Sequence, residues 1–332
     1  MEVLPTDTPA LFTAAVRRAV ELLSAGEVVG LPTETVYGLA ANAFNRHAVS
    51  RIFEIKGRPK NNPIIIHVAS FEMAKSCVTQ WPVLAHNLAR AFWPGPLTLV
   101  LPRSQAIPDV VTAGGPTVGI RWPSHPFMQA VISACDFPLA APSANLANLV
   151  SPTTAAHVVK QLGKLIPLVV DGGAAHVGIE STVLDLSVDP PQLLRPGMVH
   201  KEALAGVVGT VLVGSGPKAE VLKSPGLLPK HYAPRARLAL WCWKDEQDLK
   251  QQAATSGVAA SKTHVIAHTH IPSDAVLGRV SVIPHDAEAF ARAIYAELHA
   301  CDDAGAELIV VEALPATDEW RAIADRLNRA AG

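Results

Sequence analysis

The chain reads as an α/β protein: a mixed sheet, then a linker, then a second, smaller α/β domain with a mostly parallel sheet. Three observations carry this. Short apolar runs bounded by Gly and Pro alternate with segments of helical period through residues 1–207. The runs between 181 and 195 have no helix between them, so neighbouring strands there must include antiparallel pairs. The stretch 208–236 is rich in Gly and Pro and has no sustained period, and the alternation resumes across 237–332.

Thr8 suits the cap of a first helix that Pro9 opens and Gly26 ends, with Leu11, Ala15, Val16, Leu22 and Leu23 on one broad face. "EVVGLP" follows as a buried strand and runs into "TETVYGLAANAF", a polar turn with small residues. A second helix starts near Asn45, carries Val49, Ile52 and Phe53 at helical spacing, and stops at Gly57. "PIIIHV", "LTLVLP", "TVGIRW", "PLAAPS", "PLVVDGG", "STVLDLS" and "QLLRPG" read as strands, with helices around 82–92, 125–134 and 153–162 and a short one at 200–207. Beyond the linker, strands are expected near 237–242, 263–267, 279–283 and 307–311, and helices near 245–255, 286–302 and 318–330.

Composition excludes several classes of function. The 332 residues are 49% hydrophobic and 17% charged, enough for two cores and unlike a disordered chain. A net charge of -1 argues against a polycation that coats nucleic acid, though not against a local basic patch. Cys77, Cys135, Cys242 and Cys301 are widely spaced and form no Cys-x-x-Cys pair, which speaks against a zinc ribbon, a dithiol redox site and a secreted disulfide scaffold. The first twenty residues are acidic before they are apolar and contain Arg17-Arg18, unlike a signal peptide or a membrane span. A soluble, cytoplasmic protein with no membrane partner is the expectation. P-loop, dinucleotide-fold and nucleophile-elbow motifs are all missing.

Polar clusters follow several strands: "PTET", "SAN" and "DGG". Each alone reads as an ordinary turn; together they suit a site beyond strand ends. The segment "KGRPKNNPIIIH" is sharper. A helix end attracts cations by roughly 0.3–1 kcal/mol, which accounts for Lys56 but less well for Arg58 and Lys60, past Gly57 and leading into an apolar strand. Arg121 and Arg195 repeat the pattern of strand, Arg and turn. Three such cases suggest a site for phosphate or carboxylate, onto which Arg forks bidentately. His67 fits a core histidine as well as a ligand. His264, His268 and His270 in "HVIAHTH" imitate a metal cluster, but no carboxylate sits near them in the pattern, which makes metal binding there a weak reading.

Taken in order, "GLPTETVYGLAANAF", "IFEIKGRPKNNPIIIHV", "FWPGPLTLVL", "TVGIRWPSHP", "APSAN", "SPTTAAHV", "DGG…VGIESTVLDLS" and "LLRPG" resemble the YrdC-type threonylcarbamoyl-AMP synthases. "SPGLLPKHYAP" at 224–234, followed by a further α/β unit, resembles the long two-domain form. The resemblance is dense over 10–236. It implies a sheet curved around a central cavity in 1–207, a linker 208–236 that covers the active site, and a small domain at 237–332. It implies a nucleotidyltransferase that makes threonylcarbamoyl-AMP and pyrophosphate from L-threonine, bicarbonate or CO2, and ATP with Mg2+. The product would pass to a transferase complex that modifies tRNA beside the anticodon. The motifs carry over Lys56, Arg58, Ser143 and Asn145 as catalytic. They put Arg58, Asn62, Thr117, Ser143, Ser151, Arg195 and Tyr232 at ATP, and Thr35, His67, Arg121, Ala141 and Ser181 at threonine. The chain departs from the family's common pattern at Ala147, Asn148 and Pro229. Asn tolerates a left-handed backbone, so the loop at 148 can keep its shape.

Two other classes remain. A charged cavity can hold RNA without chemistry, giving at most a weak RNA contact, but aromatics make up only 5% of the chain. A carbamoyl-adenylate enzyme of metal-centre maturation would carry zinc-finger cysteines, which the four scattered ones do not supply.

Overall fold

The computed structural model describes residues 1–214, 222–226, 231–273 and 277–332. Pro229 lies outside the described residues, as do parts of the expected linker. The chain divides into two compact units: Met1–Ala147 with Ser151–Leu228, and Asn148–Val150 with Pro229–Gly332. The division therefore falls inside 208–236 rather than at either edge of it.

The first unit is built on a mixed sheet. Among the described residues its strands run in the order Glu2–Pro5, Leu168–Asp171, Val29–Leu31, Gly38–Asn42, Leu139–Ala140, Ile66–His67, Thr117–Arg121, Leu97–Pro102, Thr182–Asp185, Gln192–Arg195 and Leu212–Val213. Parallel and antiparallel neighbours mix along it. Both faces are covered. Leu39, Ile66, Leu99 and Ile120 pack on one side with Ile52 and Leu88, while Leu31, Ala40 and Leu168 pack on the other with Ala19 and Val131. Side chains alternate across a strand, so successive Leu39 and Ala40 enter different cores.

The helix ends follow the sequence. The Thr8 hydroxyl accepts the Leu11 N–H at 3.3 Å at the start of helix Pro9–Ser24. Asn45 accepts the N–H groups of His47 and Ala48 at 3.0 and 3.1 Å to open helix Arg46–Lys56. Gly57 closes that helix in the left-handed region, at φ 59°, where a Cβ is disfavoured.

Three expectations need correction, and one strand, Glu2–Pro5, was not foreseen. "PIIIHV" forms a ladder only at Ile66–His67, because the Ile64 N–H turns to Val111 O instead. The expected turn "TETVYGLAANAF" contains the strand Gly38–Asn42, which pairs antiparallel with Val29–Leu31. Glu2–Pro5 forms a strand at the sheet edge, paired parallel with Leu168–Asp171. Within the expected linker, Leu212–Val213 pairs parallel with Gln192–Leu193.

The second unit holds four strands, in the order Arg237–Trp241, Leu308–Glu312, Thr263–Ala267 and Arg279–Val282, and every pair is parallel. In chain order, helices Glu246–Thr255, Ala287–Asp303 and Arg321–Ala331 follow the strands Arg237–Trp241, Arg279–Val282 and Leu308–Glu312. Trp243, Leu249, Val265 and Val310 are buried in its core. No helix among the described residues is long and apolar enough to cross a membrane.

Candidate active site

Strand register builds the centre of the site. His67 pairs with Arg121 across a parallel ladder and with Leu139 across an antiparallel one. Register partners share a sheet face, so His67 and Arg121 lie side by side, and both are buried. The next strand along delivers Ala141, whose N–H donates to Ile65 O at 3.2 Å.

The turn Thr33–Val36 closes over this pair. The Thr33 hydroxyl accepts the N–H groups of Thr35 and Val36 and donates to Val36 O at 2.6 Å, a self-tied turn of the kind Thr favours. The turn presents Thr35 and Glu34 to Arg121. Arg121 Nη1 donates to Thr35 Oγ1 at 2.8 Å, Nε donates to Gly95 O at 3.3 Å, and Nη2 lies 2.7 Å from Glu34 Oε2. Burial raises the Glu34 pKa, but the Arg121 charge and the Ser124 N–H outweigh it, leaving the pKa lowered. His67 goes the other way. Burial, then the neighbouring Arg121 charge, lower its pKa well below the usual imidazole value, so the ring is neutral. Its Nδ1 is buried with no hydrogen-bond partner among the described residues. Buried polar atoms normally find partners, so this one calls for a water, an ion or a ligand group.

Lys56 and Arg58 shape the neighbouring loops. Lys56 Nζ donates to Ser143 O, Asn145 O and Asn145 Oδ1, and thereby ties the Ser-x-Asn turn to the helix end. Burial, then Arg58, lower its pKa well below the ordinary lysine value. The three oxygens match the three hydrogens of an ammonium and oppose that shift, and we read the group as charged. Arg58 Nε donates to Asn62 O at 2.9 Å, and Nη2 donates to Asn62 Oδ1 and Pro63 O at 2.8 and 2.6 Å. The cations before the strand thus serve carbonyl groups of the adjacent turns.

A second cluster joins Ser181 to Arg195. Arg195 Nε and Nη2 donate to Ser181 O and Oγ at 3.0 and 3.1 Å, and Ser181 Oγ lies 2.8 Å from Thr98 Oγ1. Arg195 Nη1 donates to Pro225 O at 3.2 Å. Gly197 lets this turn approach the sheet, since a Cβ there would stand 2.4 Å from the Thr182 nitrogen. Thr117 and Thr98 line a narrow crevice, with no room for a water molecule, together with Ile65, Val183, Ser224 and Pro225. Ser151 is fully buried and donates to Glu180 Oε1 at 2.6 Å. Tyr232 belongs to the second unit, where its ring stacks on Tyr295 at 6.0 Å and the Arg326 guanidinium lies over it at 5.3 Å.

Two family profiles match the chain. The one described as "Telomere recombination" covers residues 21–197, and the one described as "Threonylcarbamoyl-AMP synthase, C-terminal domain" covers 199–332. A threonylcarbamoyl-AMP synthase of Pyrococcus abyssi is 38% identical over 96% of this chain and 94% of its own length. The chain belongs to the threonylcarbamoyl-AMP synthase family. The Bacillus subtilis threonylcarbamoyl-AMP synthase is 40% identical over 98% of this chain and 96% of its own length. The crystal structure of P. abyssi Sua5 complexed with L-threonine superposes with a TM-score of 0.90 at 36% identity, covering 99% of this chain and 97% of that one. These matches span both units of the chain.

Sequence reading missed the residues that brace the candidate site side chains. Glu34 stood in the quoted "PTET" phrase, but nothing there showed it facing Arg121. Thr98 and Glu180 sit 83 and 29 residues from the serines they bond. In the second unit a carboxylate does sit beside the histidines: Glu312 Oε1 lies 2.7 Å from His270 Nδ1. No cluster of three His, Cys, Asp or Glu among the described residues forms a metal cage there or elsewhere.

Proposed function

We propose that this site makes threonylcarbamoyl-AMP and pyrophosphate from L-threonine, bicarbonate or CO2, and ATP, in the cytoplasm, for a transferase complex that modifies tRNA beside the anticodon. The observation that carries the reading is the pair His67 and Arg121, buried in register, with His67 Nδ1 lacking a partner among the described residues. Arg121 suits the threonine carboxylate, and Thr35, His67, Ser181 and the backbone at Ala141 suit its amine and hydroxyl. Arg58, Asn62, Thr117, Ser143, Ser151, Arg195 and Tyr232 are assigned to the nucleotide, with Lys56 holding the Ser143–Asn145 turn.

The threonine amine attacks CO2 and loses a proton, giving a carbamate; from bicarbonate the same carbamate forms with release of water. A carbamate oxygen then attacks the α-phosphorus and pyrophosphate leaves. The reaction needs no protein nucleophile. It needs two substrates held in line, and such positioning supplies as much as roughly 7–11 kcal/mol of barrier lowering. A neutral His67 accepts a hydrogen bond from the amine without adding a second positive charge beside Arg121. Mg2+ would enter with the triphosphate, since among the described residues no three His, Cys, Asp or Glu gather to hold an ion by themselves.

The crevice at Thr117 is closed even to water, whereas ligand sites typically hold roughly 300–1,000 Å3. Entry of ATP there requires Ser224 and Pro225, which line it, to move. Closure of that segment afterwards would keep water from the carbamate. The test of the reading is pyrophosphate release from ATP, measured with and without L-threonine and bicarbonate, beside Arg58→Ala. Release that needs both, and is lost in the variant, is the expected result. ATP binding without threonine-dependent release would sink it.

A further inference from the structure

The Arg121 guanidinium is held at three of its edges by protein groups, and the way it is held predicts a role for a residue outside the sites assigned above. Nε and Nη1 make aligned hydrogen bonds to Gly95 O and Thr35 Oγ1. Nη2 is different. It lies 2.7 Å from Glu34 Oε2, yet neither atom has an aligned hydrogen-bond partner among the described residues, and both are buried. The contact balances charge while leaving the Nη2 hydrogens directed elsewhere. Arg carries two hydrogens on each Nη, and Thr35 takes one of those on Nη1. What remains is one N–H on Nη1 and those on Nη2, the fork that accepts a carboxylate bidentately.

Glu34 is itself fixed. Oε1 accepts the Ser124 N–H at 3.0 Å, and its own carbonyl accepts the Val177 N–H at 2.7 Å. The carboxylate therefore stands still beside a buried cation that keeps N–H donors to spare.

We propose that Glu34 is a positioning residue for L-threonine: it holds the Arg121 guanidinium turned so that its remaining N–H groups meet the substrate carboxylate. This rests on the threonine site proposed above. Glu34 acts through Arg121 and touches no reacting atom. Its loss should weaken recognition of the carboxylate and leave the rest of threonine, and ATP, bound as before.

The experiment is calorimetric titration of the full chain with L-threonine and with L-threoninol, the analogue in which CH2OH replaces the carboxylate. Wild type, Glu34→Gln and Glu34→Asp are compared. Gln keeps the shape and the Ser124 contact but removes the charge. Asp keeps the charge one methylene further back and covers the case in which Gln fails to fold. Threonine affinity is expected to fall roughly ten- to hundredfold in Glu34→Gln, the range a hydrogen bond to a charged group is worth, with a smaller fall in Glu34→Asp. Threoninol and ATP affinities should stay within about twofold of wild type in both, as expected for removing a contact to one substrate group. Equal losses for threonine and threoninol would overturn the proposal in favour of a direct contact to the substrate amine or hydroxyl. A parallel loss of ATP affinity would overturn it in favour of a general structural role, and unchanged threonine affinity in both variants would overturn it outright. Wild type that takes up no L-threonine would instead strike the threonine site itself.

Discussion

Two places in this chain gather polar side chains at strand ends, and they resolve them in opposite ways. In the first unit, His67, Arg121 and Glu34 are buried together, yet His67 Nδ1, Arg121 Nη2 and Glu34 Oε2 are left without aligned partners among the described residues. In the second, Glu312 ends the strand Leu308–Glu312, and its carboxylate accepts the backbone N–H groups of His268, Thr269 and His270 at 2.7, 2.8 and 3.1 Å. His268 lies beside it, against Phe290 and Trp320. The backbone cradle that could receive an anion is filled by the chain's own carboxylate. Histidines at strand ends are thus no guide to function by themselves. The guide is whether the fold completes their hydrogen bonds.

The sharpest way to break this contrast is Arg121→Gln. Threonine-dependent pyrophosphate release should fall by about a hundredfold or more, the loss of at least one charged hydrogen bond to substrate. Steady-state assays at several threonine concentrations check it, and near-normal turnover would remove Arg121 from the site. The same change leaves Glu34 buried without its cation, so the first unit should also lose roughly 3–5 kcal/mol in urea unfolding.

Lys56→Met comes next. Three buried oxygens of Ser143 and Asn145 lose their donor, and stability should fall by about 2 kcal/mol or more. A melting curve indistinguishable from wild type would show that Lys56 is not the clamp described here.

Glu312→Gln should be milder, about 1–3 kcal/mol, since Gln still offers one oxygen to the three N–H groups. The threonine KM should not move. A changed KM would mean that the filled cradle matters to the reaction, and the contrast between the two strand ends would fail.

The smallest effect is one of pH. Burial raises the Glu312 pKa, but the backbone N–H groups of residues 268–270 and the His270 side chain outweigh it and leave it lowered. Glu34 is lowered as well. A carboxylate whose folded pKa is depressed adds stability above its ordinary value of 4.5, and that contribution is lost as pH falls through the folded value. The stability gap between wild type and Glu312→Gln should therefore be flat from pH 7 to pH 5 and shrink below about pH 4. A gap that widens in acid would contradict the lowered pKa.

Much of the fold was legible because its signals are local. Asn45 and Gly57 bracket one helix as a cap and a left-handed stop. The alternation in "LTLVLP" and "TVGIRW" appears as the paired strands Leu97–Pro102 and Thr117–Arg121. What escaped depends on partners. Gly38–Asn42 is a strand of small residues with little β preference, held by pairing on both edges. Of the site, the motif residues could be named, but not what surrounds them. Glu34 reaches Arg121 across 87 positions, and Glu312 reaches His270 across 42. No window of sequence contains both halves of either pair. Asn148 was legible for the opposite reason: its own backbone preference accounts for φ 67°.

Three residues of the second unit have a bearing on dissection of the gene. Asn148–Val150 are encoded far upstream of the rest of that unit, yet Asn148 O accepts the Ala233 N–H at 2.9 Å and Leu149 bridges Ala233 in parallel. A cut after residue 207 separates this small ladder into two polypeptides. The downstream piece then carries Ala233 without its acceptor, beside a Tyr232 already held at φ 63°. Loss of turnover after such a cut would therefore report a missing ladder as much as a missing cover over the site. A peptide spanning 146–152, added back in trans, is what would tell the two apart.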